Sequence, residues 1–160
     1  MIKISCYRTI QEKLPKAFCM LAEKCYHNKI NVFVYANTKE TLTELDKVLW
    51  TYSKKQFIPH GTIHDPHPEK QPILLGEEFK NLNNVSNLMI INADENQLLS
   101  ILSTDENFNG KCERLFFVYA QDGDVTDGAI KNILTTSSLG EFKFESYMQG
   151  EDNSWRVIKE

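Results

Sequence analysis

Leu115-Phe116-Phe117-Val118-Tyr119 is an unbroken run of five apolar residues, the pattern of a strand covered on both faces rather than one. Leu88-Met89-Ile90-Ile91-Asn92 reads as another short strand. Working outward, residues 2–7, Ile30-Asn31-Val32-Phe33-Val34-Tyr35-Ala36 and Pro72-Ile73-Leu74-Leu75 are short runs of strand composition, and Phe142-Lys143-Phe144-Glu145-Ser146-Tyr147 alternates as a last strand. Between the strands the apolar period changes. Ile10, Leu14, Ala17, Phe18, Leu21 and Cys25 recur at helical spacing, with Pro15 placed in the first turn so that the regular helix starts near Leu14. Asn37 with Glu40 predicts a capped second helix carrying Leu42, Leu45, Val48 and Leu49. Asp94 with Gln97 predicts a short third helix, and a fourth is expected over 126–138, ended by Gly140. Strands separated by helices imply an α/β fold: one three-layer α/β/α domain over residues 1–160, Rossmann-like, with a mostly parallel central sheet.

Composition narrows the function. The chain has 18 basic and 22 acidic residues, a net charge of −4, against the basic excess of a general nucleic-acid surface. Its apolar runs are far shorter than the roughly 20 residues that span a bilayer. Met1-Ile2-Lys3-Ile4 leads straight into an alternating segment, so no leader is expected. Four cysteines without paired spacing, Cys6, Cys19, Cys25 and Cys112, read as buried thiols in a reducing cytoplasm.

Enzymatic motifs are missing where the fold would put them. The turn after the first strand reads Tyr7-Arg8-Thr9-Ile10, with no glycine to let backbone approach a pyrophosphate, and no GxxxxGK[ST] loop exists. No serine or cysteine stands on a glycine-flanked strand-to-helix turn. Asp122, Asp124 and Asp127 lie near Gly123 and Gly128, but without the distal bidentate glutamate of a calcium loop they read as the acidic start of a helix. His60, His64 and His67 with Asp65 could in principle ligate zinc. Gly61 and Pro66 deny His60 and His64 a shared helical face, so no metal, cofactor or catalytic residue is expected.

From Thr51 to Gln71 the chain holds three of its five prolines and three of its four histidines, which predicts a long loop, and such loops are often functional. Trp50 ends the second helix beyond its apolar face, and Phe57-Ile58 follows among polar residues. Aromatics so placed are either lids on the core or anchors for a partner.

This segment resembles a pattern of the chi subunit of bacterial DNA polymerase III. Leu49-Trp50-Thr51, then Phe57-Ile58-Pro59-His60-Gly61 and Gln71-Pro72-Ile73-Leu74-Leu75, follow its LW(T/A), F-(L/V/I)-P-H-G and QPVLL elements in order. Leu45-Asp46-Lys47-Val48-Leu49 is similar to its LDxxLW helix end, and Gly150 and Trp155 to its closing segment. The resemblance implies a non-catalytic subunit of the clamp-loader assembly, a monomer on its own, with a nucleotide-binding-like fold and no nucleotide. It implies two partners: the psi subunit or an alternative helicase at Trp50, Phe57, Pro59 and His60, and the C-terminal tail of single-stranded DNA-binding protein. For the tail the family offers a helix with an A-R-x-x-W/Y motif. Here that stretch is Ala129-Ile130-Lys131-Asn132-Ile133, so isoleucines stand for the arginine and the aromatic, and Ser137 for a further base. The tail site then rests on Lys131, Ile133 and Lys143, with Arg156 or Lys159 as further cations, or the chain is an α/β adaptor that has lost that contact.

The histidine loop yields a direct test. Elemental analysis of untagged protein is expected to find zinc far below one equivalent, and His64→Ala to melt as wild type; stoichiometric zinc lost with stability in that variant would reverse the reading.

Overall fold

The structure is a computed structural model and describes residues 1–52, 57–102, 111–137 and 139–158. Strands β1 (Ile2–Thr9), β2 (Val32–Ala36), β3 (Gly61–Thr62), β4 (Ile73–Gly76), β5 (Asn87–Ile91), β6 (Arg114–Ala120), β7 (Phe142–Gln149) and β8 (Trp155–Val157) are interleaved with helices α1 (Leu14–His27), α2 (Lys39–Thr51), α3 (Glu95–Leu102) and α4 (Asp127–Thr136). The strands form one sheet in the order β3-β4-β2-β5-β6-β1-β7-β8. Every pairing is parallel except that of β7 with β8. This is the α/β architecture with a mostly parallel sheet that the alternating elements predict.

Successive side chains leave opposite faces of a strand, and the two cores follow that parity. Val32, Val34, Met89, Ile91, Phe116 and Val118 pack beneath α1 and α2, while Phe33, Tyr35, Leu88, Ile90, Leu115 and Phe117 pack beneath α3 and α4. β2 is therefore buried at every residue and β6 at all but its first. β1 and β7 differ. Ile2, Ile4 and Cys6 join the α3/α4 core with Phe142 and Phe144 against them. On the other side Lys3, Ser5 and Tyr7 lie beside Lys143, Glu145 and Tyr147 in register, and only the half-buried Tyr7 touches the α1/α2 core.

Local chemistry sets the helix ends. Pro15 falls in the first turn of α1, and a 3-10 turn at Gln11–Lys13 precedes it, leaving Ile10 outside the helix and exposed rather than on its apolar face. α2 is capped by Thr38, whose hydroxyl accepts from the Thr41 N–H at 3.0 Å; the expected cap at Asn37 is one residue early. Asp94 and Gln97 form the reciprocal box expected before α3, at 2.8 and 2.9 Å. α4 is capped by Thr126 and ends at Thr136, short of the expected end at residue 138, which lies outside the described residues. The segment expected to be loop from Thr51 to Gln71 contains β3 and a 3-10 turn at Pro68–Lys70. There a Cβ on Gly61 would lie 3.1 Å from the Gln71 side chain, so a glycine and a glutamine ten residues apart pack as a pair. β8 was not predicted: three residues of mixed polarity carry too little pattern.

One charged pair is sunk into the seam between β1 and α4. Arg8 is 8% exposed. Its Nε donates to Asp127 Oδ1 at 2.7 Å and its Nη2 to the Val125 carbonyl at 2.6 Å, with the guanidinium 5.5 Å from the Tyr119 ring centroid. Ser146 donates to Asp127 Oδ2 at 2.6 Å. Burial works to raise the Asp127 pKa, but the hydrogen bonds from Ser146 and Arg8 and the Arg8 charge outweigh it and hold the carboxyl below its ordinary value. A depressed folded pKa contributes stability that is complete above the unfolded value of about 3.9 and is lost as pH falls through the folded one. Asp127→Asn leaves Arg8 unneutralised and is expected to lower the Tm at pH 7 by roughly 5–10 °C, from ~2–3 kcal/mol. In thermal melts down the acid range, the gap to wild type should close below pH ~4.

Candidate partner-binding site

The last turn of α2 and the chain returning from it build one aromatic cluster. Leu45 and Leu49 point into the core at 1% and 2% exposure, whereas Trp50, one position on, is 57% exposed. The same contrast recurs at Phe57, 55% exposed, and Ile58, 1%. Ile58 fixes the return segment in the α1/α2 core, and the Phe57 ring is exposed beside it. The Trp50 and Phe57 centroids lie 5.1 Å apart at 34°, and Trp50 sits 4.9 Å from the His60 ring. Ser53, Lys54, Lys55 and Gln56 lie outside the described residues.

His60 is the base of this cluster rather than part of its surface, since its side chain has no exposure. Its Nδ1 donates to the Ile58 carbonyl at 2.8 Å, because a carbonyl only accepts. Nε2 lies 3.0 Å from Asp46 Oδ1, without a hydrogen bond's alignment. Asp46 stands one turn before Trp50 on α2, so the imidazole links the helix to the return segment beneath the exposed rings. Pro59 is half-buried between them. His64 pairs with Glu77 at 2.7 Å and His67 lies 3.5 Å from Glu69, so the three histidines face different neighbours, and no cluster of three metal-ligating side chains occurs among the described residues.

The residues expected to receive an acidic tail are not brought together. Ile133 is 9% exposed and Ile130 fully buried in the α3/α4 core. Lys131 lies over the Phe144 ring at 4.9 Å, on that same face of the sheet. Lys143 is one residue from Phe144 on β7 and so points to the opposite face, 3.7 Å from Glu145. Lys131 and Lys143 cannot contact one ligand on one face. Arg156 lies on β8, and Lys159 lies outside the described residues.

In doubly wound sheets ligands sit outside the carboxyl ends of two strands whose crossovers leave in opposite directions. Here those strands are β2 and β5. The crevice is lined by Asn37, Asn92, Asp94, Asp122 and Asp124, a carboxylate-rich rim that repels phosphate. The thiols offer no poised nucleophile: burial pushes Cys19 and Cys112 up to about 12 and Cys25 up to about 11. Sequence reading missed the Arg8–Asp127 pair, although parity pointed to it. Arg8 continues the inward series Ile2, Ile4, Cys6, so its charge had to find a buried partner.

Fold and surface define the class: a Rossmann-like α/β domain whose distinctive feature is an exposed aromatic cluster. Residues 1–129 match the family described as DNA polymerase III chi subunit, HolC, and the chain belongs to that family. It is also 45% identical over 95 residues to a probable DNA polymerase III subunit chi of Rickettsia prowazekii (strain Madrid E). That stretch is 59% of this chain and 58% of the relative, less than two thirds of the relative's length. The family match includes Trp50, Phe57, Pro59 and His60 and stops before Lys131, Ile133 and Lys143. No helix among the described residues is long and apolar enough to cross a membrane.

The contrast between neighbours at the return segment is measurable. Ile58→Ala is expected to cost about 2–5 kcal/mol in urea unfolding, as for a filled core position, and Phe57→Ala within ~0.5 kcal/mol, as for a surface one.

Proposed function

We propose that this chain is a non-catalytic accessory subunit of the polymerase III clamp-loader complex, cytoplasmic and monomeric by itself, that bridges the psi subunit and single-stranded DNA-binding protein during replication without touching nucleic acid directly. The observation that carries the reading is the Trp50–Phe57 pair, more than half exposed on a base fixed by Ile58 and His60. Exposed large aromatics held rigid from below lose little entropy on docking, which suits them as anchors. Trp50, Phe57 and Pro59 would meet psi or an alternative helicase partner, with His60 acting through the position of Trp50.

The tail contact has thinner support. With Ile130 and Ile133 in the core, Lys131 is the single cation of α4. That favours a second reading, an α/β adaptor that keeps the aromatic surface and has lost the single-stranded DNA-binding protein contact.

Pull-down of the cognate clamp-loader complex by Phe57→Ala tests the main reading. Its Tm should stay within a few degrees of wild type, while capture falls at least about 30-fold, as for an anchor worth ~2 kcal/mol or more. Normal capture by the folded variant would remove Phe57 from the interface.

A further inference from the structure

On the α1 face the helix layer ends before the sheet does. Between the C-terminal half of α1 and the bare side of β1 and β7 runs a groove of about 510 Å³, within the usual size of small-molecule sites. Strand register sets three cations in one row across it. Lys3 of β1 is paired with Arg114 of β6 on one side and with Lys143 of β7 on the other, and all three line the groove. Neighbouring strands are about 4.8 Å apart, and like charges directly opposite one another destabilise a sheet. Lys24 of α1 adds a fourth cation. The one lining carboxylate is Glu145, two residues beyond Lys143 on β7. It accepts from the Tyr147 hydroxyl and lies 3.7 Å from Lys143. The Tyr147 bond first, then the Lys143 and Lys3 charges, hold it below its ordinary pKa. Its single charge offsets part of the row and no more. Among the described residues no ion pair neutralises Lys3, Lys24 or Arg114.

Packing gains nothing from such a row, whereas a compact anion laid along it would turn the repulsion into attraction. We propose that this groove binds an oligophosphate: a chain of two or three phosphates, free or as the ester of a small molecule. Spacing favours that anion. Carboxylates on one face of an extended polypeptide recur every second residue, about 6.7 Å apart, out of step with cations one strand apart. An oligophosphate concentrates its charges within the width of the row. Half-buried Arg114 presents a planar fork to phosphate oxygens, and exposed Lys3, Lys24 and Lys143 supply point charges around it. Leu21, Phe116 and Tyr7 form an apolar wall beside the row for the organic part of an ester. A nucleic-acid strand fits less well, because bases need free ring faces to stack on. Tyr7 stacks on Tyr147 with centroids 5.0 Å apart at 12°, while Trp155 meets Tyr7 edge-on at 5.1 Å. A second copy docked by two-fold symmetry would bring the same patch against itself, cations facing cations. The groove shares no residue with the Trp50–Phe57 surface and lies on the opposite side of the sheet from Lys131, so the proposal does not rest on the partner reading.

Isothermal titration calorimetry on the full chain tests this, without divalent cations, using sodium triphosphate and thymidine triphosphate as two probes. Expected is binding that weakens as salt rises, with affinity lowered about tenfold or more in both Lys3→Gln and Arg114→Gln and unchanged in Lys131→Gln. Equal affinities assign the site to the phosphate chain alone, and tighter thymidine triphosphate adds the apolar wall to it; both support the proposal. A thermal melt supplies a second readout. Without ligand, Lys3→Gln should melt at or above wild type, because removing the central charge relieves the row. Lys3 is exposed, so Lys3→Gln keeps the experiment decisive should Arg114→Gln melt early. Neither probe binding at low salt, binding indifferent to both row variants, or an equal loss in Lys131→Gln would each overturn the proposal. Unliganded Lys3→Gln melting well below wild type would also overturn it, since the row would then be serving the fold.

Discussion

A parallel sheet has to be covered on both faces, and in this chain the two helix layers are offset along an eight-stranded sheet. α3 and α4 extend cover out to β1 and β7 on one side, where Ile4, Phe142 and Phe144 pack. On the other side α1 and α2 serve β6, β5, β2 and β4 and stop there. The strands register this residue by residue: β2 is apolar throughout, whereas β7 alternates because one of its faces has no helix above it. Both surfaces of interest lie at the margins of that second layer. The aromatic cluster stands where α2 ends, and the basic groove where α1 leaves β1 and β7 bare.

The Arg8–Asp127 pair belongs to the same constraint. α4 must be carried across β1 to deliver the chain to β7, and its first turn arrives at the end of β1. A hydrophobic contact there would hold as well, since buried ion pairs seldom stabilise more than a well-packed apolar isostere. What the pair adds is direction. Arg8 bonds a carboxylate and a loop carbonyl at once, and Asp127 accepts from Ser146 on β7, so β1, α4 and β7 are fixed relative to one another by groups with a single mutually satisfying arrangement.

Much of this fold is legible in the sequence because its signals are local. Continuous apolar runs mark β5 and β6, the Asp94–Gln97 box marks α3, and Pro15 marks the start of α1. The errors fall where the deciding interaction is not local or the pattern is too short. Thr38 outcompetes Asn37 as a cap only once the φ/ψ of the turn is known, and β8 is three residues held by its pairing with β7. The aromatic cluster was legible from Trp50 and Phe57 standing off pattern. The role of His60 was not, because nothing local announces that Asp46 and the Ile58 carbonyl will close on its ring. The basic groove was invisible for the same reason: Lys3, Lys24, Arg114 and Lys143 are spread over the chain, and only the sheet order makes them neighbours.

The crevice where doubly wound sheets generally hold ligands is formed here between the ends of β2 and β5, yet its rim of Asp94, Asp122 and Asp124 opposes an anion. Carboxylates stand at the carboxyl ends of the strands, and cations in the groove beside α1 on the bare side of the sheet. This charge pattern costs the fold little, since none of these side chains belongs to either core. Parity and helix cover hold the scaffold, while charge at its margins is free to change. One sheet can thus carry carboxylates at one margin and rings and cations at others without moving a strand.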